Sequence, residues 1–485
     1  MSVPPSFFAR KLGMVSVLGP AVAAVALWLW VCWCIFPVSV WNDVRLAPAF
    51  ALARGLPLYP AEDGGAVGTW IYGPLPLLLL WPATLAASAA SALQIAGAIN
   101  LLMTVAVIAI VCAAWPAPAE SGLTRRDRLL AAALAIALWP RASLQYLQAD
   151  NVTVALGLIG NLLAVRSRAP AMRWGAAVFA VAGIACKQTS FGVPLAQIIW
   201  FGVTAGRTEA LRHLGRCFEA GLAFAAAIGI GWGWNGTILN LLTLPSRLPW
   251  TDAVLRRFID LAPELSIHLA LPALVLLTCR RAVWRRDSAL LLPSLAWLCA
   301  LPPGMASLLK IGGTINSLQS LAYWLPPALV MAFGAARRLR KITWVLPSMA
   351  LACLVICAAR LAGPHPWRPL TEHYRQAEIL ARSFPDQIWF PWNPLVTLYG
   401  ENCLYHAEDG LYVRFLAGHA LTLAHARAHL PRQMSVIALP RGSSDWGIAL
   451  HFLPPNARRE EFGLWTLYTW SSAAPTPLPG PSPRR

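Results

Sequence analysis

An isolated acid, Asp43, follows directly on the first long apolar run of the chain, in the stretch Trp41-Asn42-Asp43-Val44-Arg45. Further polar side chains recur at the ends of later apolar runs. Tyr72 closes the same loop, Asp150 and Asn151 stand between two runs, and Lys187-Gln188 separates another pair. Arg256-Arg257 and the stretch Lys310-Ile311-Gly312-Gly313-Thr314-Ile315-Asn316 lie further on. One carboxylate facing several cations suits group transfer from a lipid phosphate. The carboxylate takes the proton of an acceptor hydroxyl, which is worth about 10²–10⁴-fold. The cations stabilise charge that develops on the departing phosphate.

Each of these residues also has a plainer reading. Asp43 is equally a solvated acid at the membrane interface. Asp150 is placed to cap a helix starting at Asn151. Arg256-Arg257 also reads as a solvated face. Lys187 lies between two apolar runs, so it is expected to point into a cavity, because a charge within a membrane segment is costly and functional by default. Arg45, Tyr72, Asp150, Gln188 and Asn316 are the candidate substrate contacts. No cofactor is called for. No closely spaced acid pair resembles a DxD site, His268 reads as a packed helix residue, and His365, His373 and His406 lack ligand spacing.

The elements that must position these groups follow from composition. The chain has 485 residues, 57% hydrophobic and 12% charged, against about 25% charged in soluble domains. Its apolar runs approach the length that spans about 30 Å of hydrocarbon. An all-α polytopic membrane protein is expected. The net charge of +18 reflects cations dispersed between apolar runs, which matches cytoplasmic loops and not a nucleic-acid-binding face. Nine of the ten cysteines lie in or beside apolar segments and read as small fillers.

The first run, about 12–37, follows Arg10 and Lys11 and is too long for a signal peptide's apolar core. Its N-terminus is expected in the cytoplasm. The loop after it holds a short helix opened by Pro48 and closed by Gly55, with Leu46, Ala47, Phe50 and Ala51 on one face against the membrane surface. Further runs lie at about 73–90, 93–115, 129–142, 151–165, 174–186, 189–205, 217–236, 265–279, 288–308, 318–336 and 342–362. If all of them cross, Arg125–Arg128 and Arg166–Arg173 fall outside, against the positive-inside rule. If 73–90, with Gly73-Pro74-Leu75-Pro76 and Trp81-Pro82, dips in and returns, every basic cluster becomes cytoplasmic. About eleven crossings plus one re-entrant segment result.

The division expected is a membrane domain over 1–362, an extracytoplasmic α/β domain over 363–472 and a Pro/Ser-rich, disordered end over 473–485. In the tail, Leu370 to Ser383 reads as an amphipathic helix, and Ile388-Trp389-Phe390, Val436 to Leu439 and Leu464 to Tyr468 read as strands.

A short N-terminus, one span and an outer loop with an early acid resemble the GT-C-fold glycosyltransferases. Gly55-Leu56-Pro57-Leu58-Tyr59 followed by Ile71-Tyr72-Gly73-Pro74-Leu75 is similar to the bacterial polyprenyl-phosphate-mannose-dependent mannosyltransferases and their relatives, as is Gly183-Ile184-Ala185-Cys186-Lys187-Gln188-Thr189. The resemblance covers roughly 12–360. It implies inverting transfer of mannose or a similar sugar from a polyprenyl-phosphate donor to a lipid, glycan or protein acceptor. The reaction would take place on the outer face of a bacterial inner membrane and without a nucleotide sugar. It implies Asp43 as general base, and Lys187, Arg256, Arg257 and Lys310 as candidates for the donor phosphate. Only Asp150 matches the second acidic position of some relatives, which leaves use of a divalent metal open. The competing reading is a transporter or lipid-carrier flippase, against which the chain shows no internal repeat.

Overall fold

The computed structural model describes residues 7–34, 40–62, 64–68, 70–117, 121–251, 289–338, 342–362, 370–442 and 447–471, with 253, 255, 256, 259, 269, 272 and 273 between them. The run expected at 265–279, His268, His365, Arg257 and the 473–485 end lie outside the described residues, apart from 269, 272 and 273. The chain forms two compact units, each discontinuous in sequence. One comprises Met1–Cys34, Asn100–Phe224 and Thr251–His365; the other comprises Ile35–Ile99, Ala225–Trp250 and Pro366–Arg485.

The first unit is helical. Its helices include Phe7–Cys34, Arg125–Leu138, Ala149–Val165, Pro170–Cys186, Gly192–Ala205, Leu291–Leu308, Leu325–Arg338 and Ile342–Ala362. Small residues let their backbones approach, as they do where lipid gives no hydrophobic drive between helices. A Cβ on Gly192 would lie 2.8 Å from the backbone of Cys299 and Ala300, and one on Gly160 would lie 3.2 Å from the Ala176 carbonyl. The apolar run at 318–336 divides into a 3-10 stretch, Ile315–Trp324, and the helix Leu325–Arg338. Pro326 and Pro327 fit the first turn of that helix, where their missing N–H groups cost nothing.

Among the described residues, four helices are long and apolar enough to cross a membrane: Ala89–Ala114, Arg207–Trp232, Leu291–Leu308 and Trp344–Ala362. Ala149–Val165 and Pro170–Cys186, at 17 residues each, reach about 26 Å. The segment at 73–90 is a six-residue helix, Leu75–Leu80, then a five-residue 3-10 turn, Trp81–Leu85. Together these extend about 19 Å, short of the about 30 Å of a hydrocarbon core.

The second unit joins the first loop to the tail. The helix Val40–Ala53 starts earlier than expected and runs through Pro48. It ends at Gly55, at φ +71°, where Leu56 N–H returns to the Ala51 carbonyl. Leu46, Ala47, Phe50 and Ala51 do share burial, but so do Asn42, Asp43, Val44 and Ala49. The helix is therefore packed within its unit and does not lie on a membrane surface. Burial on nearly all sides outweighs the hydrogen bond lost at Pro48. Val44 packs in one cluster with Trp389, Trp392, Ile437 and Leu439 of the tail.

The tail carries a four-stranded sheet in the order β1-β2-β4-β3, where β1 is Ile388–Trp389, β2 Val436–Pro440, β3 Arg458–Phe462 and β4 Trp465–Thr469. β1 and β2 are parallel, with Ile388 opposite Val436; the other pairs are antiparallel, with Ala438 opposite Leu467 and Glu460 opposite Leu467. The amphipathic helix Leu370–Ser383 is present as expected. The first loop is tied to the tail by hydrogen bonds. Arg414 Nη2 donates to the Pro60 carbonyl at 2.9 Å, and Val67 N–H donates to His406 Nδ1 at 2.8 Å.

Candidate active site

In the first unit, the helices Ala149–Val165 and Pro170–Cys186 pack side by side, so the start of one meets the end of the other. A Cβ on Gly183 would lie 3.5 Å from the Thr153 carbonyl, which shows how closely these ends approach. Asp150 lies in the first turn of one helix and Lys187 caps the other in extended conformation. Each charge suits the partial charge of the helix end that carries it. Lys187 Nζ donates to Asp150 Oδ1 at 2.6 Å, with both side chains under 10% exposed. Asn316 Nδ2 donates to the second oxygen, Oδ2, at 3.4 Å. The helix-cap reading of Asp150 is replaced by this pair, since Gln148 holds the N-cap position.

The 3-10 stretch Ile315–Trp324 completes this cluster. Asn316 and Gln319, one 3-10 turn apart, share a side; Gln319 Nε2 donates to Gln148 Oε1 at 3.0 Å. Tyr323 Oη lies 3.2 Å from Ser190 Oγ. Gly157 gives the Tyr323 ring its room: a Cβ there would come within 2.4 Å of it. Gln188 opens the 3-10 turn Gln188–Phe191 directly after Lys187. A small cavity lined by Ser143, Asn151, Gln319 and the apolar Val154 and Leu158 lies in this unit. Lys310 is half-buried, and burial lowers its pKa from the usual lysine range. Arg256 is exposed.

In the second unit, Asp43 is fully buried. Its Oδ2 accepts from Tyr374 Oη at 2.7 Å and from Asn393 Nδ2 at 3.4 Å, and its Oδ1 accepts from the Leu395 N–H at 3.0 Å. Leu395 lies at the start of the helix Pro394–Glu401, whose own N-cap residue, Asn393, makes no side-chain cap bond. Asp43 therefore sits in the first turn of its own helix and caps a second, so two helix N-termini favour its charge. Burial prevails over these donors and pushes its pKa up to about 7. Nearby in sequence, the Arg45 guanidinium lies 5.1 Å from the Tyr72 ring and 5.7 Å from that of Trp41, with Asp409 at 3.9 Å.

The structure thus gathers Asp150, Lys187 and Asn316 into one cluster and Arg45 with Tyr72 into another. Asp43 is held by the tail residues Tyr374, Asn393 and Leu395, where the sequence led us to expect cations. Tyr374, Asn393 and Asp409 escape sequence reasoning, because nothing in their local pattern separates them from ordinary helix and turn residues. Among the described residues, no group of three or more His, Cys, Asp or Glu side chains is placed to hold a metal ion.

The fold is shared with ArnT from Cupriavidus metallidurans bound to undecaprenyl phosphate, at a TM-score of 0.58 and 12% identity, over 94% of this chain and 98% of that one. The apo state of the same protein matches at 0.58 and 12%, over 95% and 98%. Archaeal oligosaccharyltransferase AglB from Archaeoglobus fulgidus, in complex with an inhibitory peptide and a dolichol-phosphate, is similar at 0.44 and 13%, over 90% and 70%. No family model matches the chain. No curated protein sequence matches it. At this identity what is common is the fold, and it is the GT-C membrane fold that the loop motifs resemble.

Proposed function

We propose that this chain is an integral membrane glycosyltransferase that moves a sugar from a polyprenyl-phosphate donor to an acceptor hydroxyl. The observation that carries this reading is the GT-C fold along almost the whole of both chains, shared with a structure bound to undecaprenyl phosphate. In the reaction proposed, Asp43 takes the acceptor proton and the acceptor oxygen attacks the anomeric carbon. The bond from that carbon to the phosphate oxygen breaks with inversion, and the electron pair leaves on the polyprenyl phosphate. A pKa near 7 matches a base working at neutral pH. The acceptor hydroxyl replaces the longest of the three donors, Asn393 at 3.4 Å. Lys187, Lys310, Arg256 and Arg257 are proposed for the donor phosphate. Asp150, 2.6 Å from Lys187 Nζ, orients that ammonium. Arg45, Tyr72, Gln188 and Asn316 are proposed substrate contacts. Mannose is the proposed sugar, and the outer face of a bacterial inner membrane the proposed location.

A second reading is favoured by the complete burial of Asp43: the acid anchors the first loop to the tail and does no chemistry. Membranes supplied with labelled undecaprenyl-phosphate mannose separate the two. With Asp43→Asn protein inserted at normal levels, transfer falls at least about 100-fold if Asp43 is the base. Retained transfer leaves Asp43 as anchor. If wild-type protein in proteoliposomes moves the lipid carrier between leaflets and yields no glycosyl product, the transferase reading fails and the flippase reading stands.

A further inference from the structure

Glu209 lies in the first turn of the helix Arg207–Trp232 and is 5% exposed. Three arginines share its carboxylate. Arg216 Nη1 lies 2.7 Å from Oε1, Arg173 Nη1 3.0 Å from Oε2 and Arg212 Nη1 3.6 Å from Oε2. Arg212 and Arg216 follow Glu209 by three and seven residues, so they share one helix face. Arg173 comes from the helix Pro170–Cys186, held against the first through Ala177, Val181, Cys217 and Ala220. At another basic cluster Asp127 takes two bonds from one arginine, Arg337. Here three cations meet one carboxylate, and two positive charges are left over. The next acid on the helix, Glu219, is exposed one turn beyond Arg216. Arg173 Nε is buried with no hydrogen-bond partner among the described residues, and the Arg212 side chain is 66% exposed.

The surroundings are as informative as the charge. Trp174, beside Arg173, is exposed; Leu211, Leu214 and Phe218 are exposed too, on the side of the arginine-bearing helix turned away from Glu209. An exposed aromatic residue beside cations marks the level of lipid headgroups. A guanidinium fork matches two phosphate oxygens. Basic pockets between membrane helices recognise anionic headgroups.

We propose that the Glu209-centred arginine cluster binds the headgroup of an anionic phospholipid. Its phosphodiester lies between Arg173 and Arg212, beside the exposed Trp174. The positive-inside pattern assigns this rim to the cytoplasmic leaflet. A free phosphate would use the cations and leave the exposed Trp174 without a role. The buried Glu209 keeps the three arginines from splaying apart before lipid arrives.

The test uses full-length protein in detergent with added phosphatidylglycerol, phosphatidylcholine or inorganic phosphate. Native mass spectrometry reads retained lipid, and thermal unfolding reads stabilisation. Phosphatidylglycerol is expected to be retained and to raise the melting temperature, while phosphatidylcholine does neither. Arg212→Gln, at an exposed position, is expected to weaken phosphatidylglycerol about fivefold, and Arg173→Gln with Arg212→Gln about 25-fold. Should the double variant fail to fold, Arg212→Gln alone decides between the outcomes. Equal stabilisation by phosphatidylcholine, or full retention of phosphatidylglycerol by Arg212→Gln, overturns the proposal. So does an equal shift with inorganic phosphate, which would make this a phosphate site.

Discussion

Replacing Tyr374 with phenylalanine removes one oxygen, 2.7 Å from Asp43 Oδ2, and nothing else. Tyr374 is 1% exposed, so water does not take the place of the hydroxyl. A hydrogen bond to a charged group contributes about 1.5–3 kcal/mol. Asn393 Nδ2, 3.4 Å from the same carboxylate oxygen and 3.2 Å from Tyr374 Oη, can close in and recover part of it. The expected cost is therefore toward the lower end, about 1.5–2 kcal/mol. The substitution also moves a titration. Burial holds the Asp43 pKa at about 7, and the Tyr374 hydroxyl is one of the donors that lower it. Without that donor the pKa rises further, and a larger fraction of Asp43 is protonated at neutral pH. If Asp43 is the base, transfer by Tyr374→Phe is reduced near pH 7 and recovers as pH rises. Its acid limb is displaced upward from that of the wild type. The assay is initial rate against pH in membranes with labelled undecaprenyl-phosphate mannose, with protein amount and melting temperature measured on the same preparations. A loss of rate that is the same at every pH would mean that Asp43 acts only as an anchor. An unshifted acid limb in a stably folded variant would falsify the assignment of the base.

Other consequences follow from single contacts. Lys187→Met leaves Asp150 buried without its cation and is expected to cost about 3–5 kcal/mol; in detergent-melting experiments Asp150→Leu with Lys187→Met should recover most of this, and an additive double variant would show that the pair is not coupled. Gly157→Ala places a Cβ 2.4 Å from the Tyr323 ring and is expected to destabilise by about 1–3 kcal/mol through overpacking, whereas an unchanged melting temperature would mean that the ring moves freely. Glu408, fully buried, accepts from the Ile448 and Ala449 N–H groups, and burial raises its pKa from 4.5 to about 7. Between those values the folded state keeps a proton that the unfolded state has released, so wild-type stability relative to Glu408→Gln falls as pH rises from about 4.5 to about 7 and is level above. A difference in melting temperature that stays constant from pH 4 to pH 8 would contradict this.

Much of the frame could be read from periodicity and charge. The apolar runs at 151–165 and 174–186 became helices with nearly those ends, because a segment among lipid and other helices must satisfy its backbone internally. Three of the four strands and the helix Leu370–Ser383 showed their patterns. β3 did not. Its sequence Arg458-Arg459-Glu460-Glu461-Phe462 is exposed throughout, so no alternation marks it; charge on an edge strand guards against further pairing. The start of the helix Val40–Ala53 was hidden as well, since Trp41 to Arg45 is polar enough to pass for a loop until its tail partners are known.

The candidate site was legible as a set of residue types and not as a set of partners. Asp43, Asp150, Lys187 and Asn316 stand out in the sequence because acids, amides and lysines are expensive near a bilayer and rarely kept without cause. Which of them meet is a different matter. Asp150 and Lys187 are 37 residues apart, and Asp43 and Tyr374 331 apart. Local propensity acts over a helical turn and carries no information at such separations. The sequence by itself determined the membrane class, the approximate positions of most apolar helices, and the short list of chemically capable side chains, for those depend on hydration and local backbone geometry. Only the tertiary structure decided that Lys187 answers Asp150 and that Asp43 answers Tyr374 and a helix N-terminus in the tail. Those pairings depend on which buried charges and donors must satisfy one another once water is gone.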